Sequence, residues 1–520
     1  MPGLAELARA AQAAFELTRA RRDIREAEVF VASNGALLTR LNYTSHIPCN
    51  GVEEPKSVES YGLGIQIVLD GPDGPRLGFG SEPGDLSVAG AERALAKARA
   101  AAVHDPEFVS LPRPTGEPRT LADYDDRELM TLSDERLVEC GWTIVHGALR
   151  TFLASSRLAE IGGSDEGLRK LGLILGGDVS ILQERVAIVS THLPRVQTDA
   201  SSLITAYVTA MVEAPGAKGS GWSAATRLAD FTDEAGVAAA RAAIDAIGGE
   251  RVPSGLYTVV FGPQPVADIL ANLVLRACDA EAFYASATPF LGRLGQPVAS
   301  AALSIYDDGA RPGLVGSKAI TCEGLPTGRT DLIKDGVLAG CLSNWYTTQR
   351  LLRDPALGTK LGATGATAAA ALAPRNGFRF ATGGGRDFEC QPGVATSNVV
   401  VEGRDPVSRD ALLRRVGDGL YIGRIWYTYP INGLRAGDFT CTVVADSAII
   451  RDGRIVAPLK PNTIRINDNI RTVLTNVVGV STDRTPTIGW GTADEVVYTP
   501  DIAVSGVRVD AIAENMPDRP

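Results

Sequence analysis

The 520-residue chain predicts an α+β protein. A mixed α/β domain over residues 1–221 is followed by a mostly antiparallel β domain over residues 222–520 that carries a few helices. Three observations point there. Helix-period and strand-period stretches alternate in the first half, while strand patterns dominate the second and are punctuated by Asp-Gly pairs. Between the halves, Ala214–Gly221 (APGAKGSG) is small, flexible and without apolar periodicity, which suits a boundary. At about 150 residues per domain, the length also suits two large domains.

The elements follow in order. MPGLAELARAAQAAFELTRARRD reads as an amphipathic helix. Glu28–Ala32 and Ala36–Tyr43 read as two strands joined at Asn34-Gly35, a hairpin turn pair. Ser57–Leu69 alternates Val58, Tyr61, Leu63, Ile65 and Ile67 and ends at the turn-rich GPDGP. Ala-rich helices are expected near 89–103 and 134–155, and strands near 171–175, 179–190 and 202–213. A helix at 233–247 has Thr232 to cap it, Asp233 and Glu234 at its positive end, and Gly248 to close it. In the second half, Tyr257–Phe261 is a buried-strand pattern, and a helix follows at 266–278. Asp335-Gly336 and Asp452-Gly453 read as hairpins. Further strands fall near 301–306, 396–402, 439–444 and 497–508, and Ala363–Ala373 reads as a loop entering a short helix.

Composition narrows the function classes. Lys plus Arg number 51 and Asp plus Glu 61, a net charge of −10 that would repel a polyanion, so no nucleic-acid partner is expected. No run of about 18 apolar residues occurs, so no membrane span is expected. The opening stretch lacks the apolar run and cleavage site of a signal peptide. The expected location is cytoplasmic. The seven cysteines are scattered without a CxxC pair, which points to small buried apolar residues rather than a disulfide framework or zinc ribbon.

The common catalytic signatures are missing. No Gly-Lys pair exists for a phosphate loop, and there is no GxGxxG, GxSxG or HExxH. All four histidines lie before residue 193. His46 and Cys49 (HIPC) could give two metal ligands, but a lone pair of this kind in a loop is more often structural. Asp307 and Asp308 are adjacent and so point apart, which suits a turn better than an acid/base pair. Trp426, Tyr427 and Tyr429, set among glycines, could line a cavity that docks an extended peptide or could pack between sheets.

Several segments, in this order along the chain, resemble the TldD/PmbA family. They are KSVESYGLGIQIV (56–68), KGSGWSAATRLADF (218–231), VPSGLYTVVFGPQPVADIL (252–270), LGQPVASAALSIYDDG (294–309), CEGLPTGRTDLIKDGVLAGCLSNWYTT (322–348), DGLYIGRIWY (418–427), INGLRAGDFTCTVVADSAIIRDGRIVAPLKPNTI (431–464) and VLTNVVGVSTD (473–483). Members of that family were labelled modulators of DNA gyrase and are regarded as a two-subunit metallopeptidase system. Its catalytic members carry HExxxH on the helix after the VVL strand and a further cysteine ligand near the C-terminus.

This chain departs from that pattern. With Pro265 as anchor, Leu270, Ala271 and Leu275 stand where the first His, the Glu and the second His would be, and a shift of a residue or two supplies no histidine. Trp490 falls about where the cysteine would be. None of these side chains can ligate a metal. Val266, Ile269, Leu270, Leu273 and Val274 instead form a core-facing stripe.

The resemblance therefore implies the metal-free PmbA/TldE type of subunit, with no metal or catalytic residue of its own. Its implied partner is a catalytic TldD-type homologue holding the zinc in a heterodimer. The implied substrate is an unfolded peptide or peptide precursor, and the Ala/Arg/Gly-rich composition adds natural-product maturation as a setting. Arg424, Trp426, Tyr427, Tyr429, Asp438, Cys341 and Cys441 are the candidates to line the chamber. Two other readings stay open: a stand-alone enzyme with a repurposed chamber, using Cys341, Cys441, Asp438 or Arg424, and a homodimeric peptide-binding scaffold.

Overall fold

The computed structural model describes residues 1–47, 49, 51–381, 384–488 and 496–513. Its first half is built on an eight-stranded antiparallel sheet. From one edge the order is Val103–His104, Gly74–Pro83, Lys56–Gly71, Ile24–Thr44, Leu173–Ser190, Gln197–Val212 and Ala217–Ala225, with Gly51–Val52 paired onto Ile24–Thr44. The central strand Ile24–Thr44 is continuous, and its side chains sort by parity. Ala27, Val29, Val31 and Leu41 face helices Leu4–Arg19, Val88–Ala100, Asp134–Leu153 and Glu234–Asp245. Phe30 and Ala32 face the other way, onto Ile320, Cys322, Phe378 and Phe388 of the second half. The sheet therefore has a helical layer on one face and the second half on the other.

That arrangement overturns the expected hairpin at Asn34-Gly35. Both residues lie mid-strand, with Asn34 opposite Ser60 on one side and Glu184 on the other. Pairing on both edges outweighs the local turn preference, and Asn34 Nδ2 donates to the Arg386 carbonyl at 2.9 Å. The strands expected at 171–175 and 179–190 are likewise one, Leu173–Ser190. The first sheet also continues past 221: Ala214–Gly221 covers a turn and most of strand Ala217–Ala225. Helix Glu234–Asp245 then packs on this sheet, burying Ala235, Ala239, Ala240 and Ala243, so the first layer pair runs to about residue 250.

In the second half, a nine-stranded sheet runs in the order Arg424–Pro430, Asp438–Ala445, Ile464–Asn469, Ile502–Ala511, Gly255–Phe261, Gly419–Ile422, Ala448–Arg451 and Arg454–Pro458, with Val477–Val480 paired onto Ile502–Ala511. A six-stranded sheet orders Val337–Leu338, Arg329–Lys334, Leu303–Asp308, Val399–Gly403, Val496–Thr499 and Thr485–Ile488. Among the described residues one parallel neighbour pair occurs in each, Gly255–Phe261 with Gly419–Ile422 and Val399–Gly403 with Val496–Thr499. The two Asp-Gly hairpins form as expected: Asp335, Gly336, Asp452 and Gly453 all have φ between 47° and 79°, the conformation a two-residue hairpin turn demands. A shared core of Val259, Phe261, Leu303, Ile305, Val401, Val443 and Val504 fills the space between the sheets and the helix that follows Phe261.

The halves also meet through buried charge. Lys318 Nζ lies 2.7 Å from Glu184 Oε2, and Arg386 Nη1 lies 2.7 Å from Asp199 Oδ2, with all four residues buried. Burial alone would raise the Glu184 carboxyl, but Lys318 and Arg386 outweigh it and hold the group at about 2.

Candidate functional site

The segment after strand Gly255–Phe261 starts as helix Pro263–Ile269, with Pro263 supplying the fixed φ favoured at a first turn. It loosens into a π-helical turn at Leu270–Val274 and ends with Leu275–Ala277. Such turns often accompany functional positions. Two stripes divide the surface. Val266, Ile269, Leu270, Leu273, Val274 and Leu275 are buried in the core between the sheets. Gln264, Asp268 and Asn272 follow one another at four-residue spacing, on a single face.

This polar stripe lies along strand Arg424–Pro430. Gln264 behaves there like one residue of an extra strand: Ile425 N donates to its Oε1 at 2.9 Å, and its Nε2 donates to the Ile425 carbonyl at 3.3 Å. Asn272 Nδ2 donates to the Asp268 carbonyl at 3.0 Å and to its Oδ1 at 3.3 Å. The Asp268 side chain is 4% exposed. Burial pushes its carboxyl up to about 6, and the nearby Thr428 hydroxyl offsets part of that rise. Neither Asp268 Oδ2 nor Thr428 Oγ1 closes a hydrogen bond among the described residues.

The strand itself is bulged. Two residues, Tyr427 and Thr428, stand opposite Cys441 alone, and Tyr427 takes φ 58°, an uncommon conformation for a bulky residue. The bulge turns Thr428 inward toward Asp268 while Trp426, Tyr427 and Tyr429 stay outside, 38%, 67% and 54% exposed. The Trp426 and Tyr427 rings stack at 5.6 Å. The site is thus an exposed aromatic ledge backed by a buried carboxylic acid.

The structure brings some of the expected residues together and separates others. Arg424 stands at the head of the ledge, bonded to Ser220 Oγ and Tyr207 OH of the first sheet. Cys441 is buried beside Asp268 and Thr428; burial, and then the Asp268 charge, push its thiol far up. Cys341 lies apart, buried near Cys278 and also pushed far up. Asp438 is on the neighbouring strand but bonds Asn469 Nδ2 and Asn432 Nδ2, which lower its carboxyl. Trp490 lies outside the described residues.

Leu270 and Leu275 are core residues and Ala271 is half-buried, so none offers a donor to the zinc the family implies, and this helix does not fit that ion. Among the described residues no cluster of three or more His, Cys, Asp or Glu is placed to hold a metal. His46 Nε2 instead pairs with Glu213 Oε2 at 3.2 Å. Asp307 and Asp308 do not form the expected turn. They end strand Leu303–Asp308, where buried Asp307 accepts from Ser397 N at 2.7 Å and from Asn376 Nδ2 at 2.7 Å. Gln264, Asp268, Asn272 and Thr428 escaped the sequence reading. The signal was available for three of them, as polar residues four apart on an otherwise apolar helix.

Residues 254–511 match the family pattern of the PmbA/TldA metallopeptidase C-terminal domain. By class, then, this is a metallopeptidase-like α+β protein. A metalloprotease of Methanothermobacter thermautotrophicus is 27% identical over 238 residues, 46% of this chain and 45% of that protein. One from Synechocystis is 26% identical over 250 residues, 47% and 46% of the two chains. The chain thus spans about half the length of these curated relatives. TldE from Thermococcus kodakarensis superimposes with a TM-score of 0.74 at 19% identity, covering 96% of this chain and all of the other. A Thermotoga maritima protein titled a modulator of a DNA gyrase gives 0.71 at 18%, covering 96% and 99%. At such identities the likeness is one of fold. Over residues 254–511 the chain belongs to the TldD/PmbA family.

Proposed function

We propose that this chain is the subunit without metal ligands in a TldD/TldE-type heterodimeric metallopeptidase acting on unfolded peptides or peptide precursors, including precursors of natural products. One observation carries the reading: the helix that holds HExxxH in catalytic members here packs its apolar stripe into the core and offers no imidazole. Bond cleavage then depends on zinc held by a homologous partner. The aromatic ledge supplies this chain's share of peptide contact, through ring faces that accept varied sequences.

A stand-alone enzyme is the less favoured reading. Its candidate nucleophiles, Cys341 and Cys441, are buried thiols pushed far from the thiolate form. Co-expression with an HExxxH homologue tests the proposal. The expected result is a stable one-to-one complex with one zinc, and peptide cleavage only when both chains are present. Zinc bound stoichiometrically by this chain alone, with peptidase activity, would overturn it.

A further inference from the structure

A second group of buried charges sits where the first sheet meets the second half, and it is unbalanced. Glu28 on strand Ile24–Thr44, Glu323 in the loop after Ile320, and Arg379 beyond the Gly377–Phe378 strand are 2%, 3% and 1% exposed. Arg379 is committed to Glu28: its Nη2 donates to Glu28 Oε1, its Nη1 donates to the Cys390 carbonyl at 3.1 Å, and its guanidinium carbon lies 4.6 Å from the Phe30 ring centre.

Among the described residues Glu323 has no such partner. There its Oε1 and Oε2 share one donor, the main-chain N–H of Trp345, at 3.1 and 3.0 Å. Trp345 opens helix Trp345–Arg353. On the other side Gly377 packs so closely that a Cβ there would come within 2.1 Å of Glu323 Oε2. The charged or titratable groups facing Glu323 are Glu28 from the sheet and Arg379 from the second half, while helix Trp345–Arg353 offers it an amide.

Two ionised carboxylates sharing one guanidinium, out of water, leave an uncompensated charge, and burying such a charge costs several kcal/mol. A proton on either carboxyl removes the imbalance, and burial raises both; Arg379 bonds Glu28 and not Glu323, so the geometry assigns the proton to Glu323. We propose that Glu323 is a proton-operated latch at the junction of the two halves: protonated, it seats the second half on the first sheet, and ionised, it opposes Glu28 and loosens that contact.

The energetics agree with the geometry. Burial, the largest effect, pushes Glu323 up to about 8; the Trp345 amide opposes the rise, Glu28 adds to it and Arg379 opposes it. A raised carboxyl contributes stability in full below its unfolded value. That contribution is lost as pH rises through the folded value. The latch thus weakens toward alkaline pH.

Trp345 supplies a reporter, because its Nε1 donates to the Ser110 carbonyl in the first half at 2.9 Å. Tryptophan fluorescence of the full chain is followed from pH 6 to 9.5. A one-proton transition is expected in the parent chain, lost in Glu323→Gln and silent in Trp345→Phe. Glu28→Gln should move the transition to lower pH by one unit or more, because it removes the like charge and frees Arg379 for Glu323. Should Glu28→Gln fail to fold, urea midpoints give a second readout: between pH 6 and 9 the parent should lose stability relative to Glu323→Gln. A transition that persists in Glu323→Gln, or an equal loss of stability in both chains, overturns the latch.

Discussion

Replacing Asp268 with Asn should stabilise the protein, and increasingly so as pH rises. The Asp268 carboxyl is buried against Thr428 and Cys441 with no cation beside it among the described residues, and it moves from an ordinary 3.8 to about 6. Below the unfolded value both states are protonated and the residue is neutral in its effect. Above it, the unfolded chain releases a proton that the folded chain retains, so stability falls with rising pH until the folded value is passed. At ~1.4 kcal/mol per pH unit, the loss is about 1 kcal/mol at pH 4.5 and about 3 kcal/mol at pH 7.5. Asn has nearly the same shape and no proton to lose. Urea unfolding of Asp268→Asn and the parent at both pH values should show a gain larger by about 2 kcal/mol at pH 7.5. An equal loss of stability at both pH values would refute the reasoning, since it would mean that the carboxylate is held in its charged form.

Two other outcomes follow from contacts described above. Arg386→Ala should cost about 3–5 kcal/mol in thermal or urea unfolding, because it strips Glu184 and Asp199 of a buried partner. Trp426→Ala and Tyr429→Ala should change stability by only about 0.5 kcal/mol, as befits exposed side chains. In the complex with a catalytic homologue they should weaken peptide affinity about tenfold or more, read by fluorescence anisotropy of a labelled peptide.

Much of the fold was legible because its patterns are local. The apolar stripe Val266–Val274 and the Asp335-Gly336 and Asp452-Gly453 turns carry their own instructions in spacing and backbone preference. Asn34-Gly35 carries the same turn preference yet is overruled, since two neighbouring strands occupy both edges of the chain at that point, and pairing over such distances leaves no trace in a short window. The boundary near 221 misled for a related reason: small residues at Gly219 and Gly221 reflect close packing by helix Glu234–Asp245, whose backbone a Cβ at either position would strike at about 2 Å. The ledge was visible as a run of aromatics. The carboxyl behind it was not, because burial of Asp268 depends on a bulge in a strand about 160 residues away in sequence. Glu28, Glu323 and Arg379 are ordinary surface types by composition, and only the docking of the halves turns them into a buried group.

The unbroken course of Ile24–Thr44 has an evolutionary corollary. Alternate side chains on this strand address two different clienteles, the helices on one side and the loops of the second half on the other. Inserting or deleting a single residue near its start would exchange the two sets, driving Glu28 and Asn34 among alanines and leucines while offering Val29 and Val31 to arginines. Length changes here are therefore tolerable only in twos, and drift in the N-terminal half is constrained by a surface that lies hundreds of residues downstream.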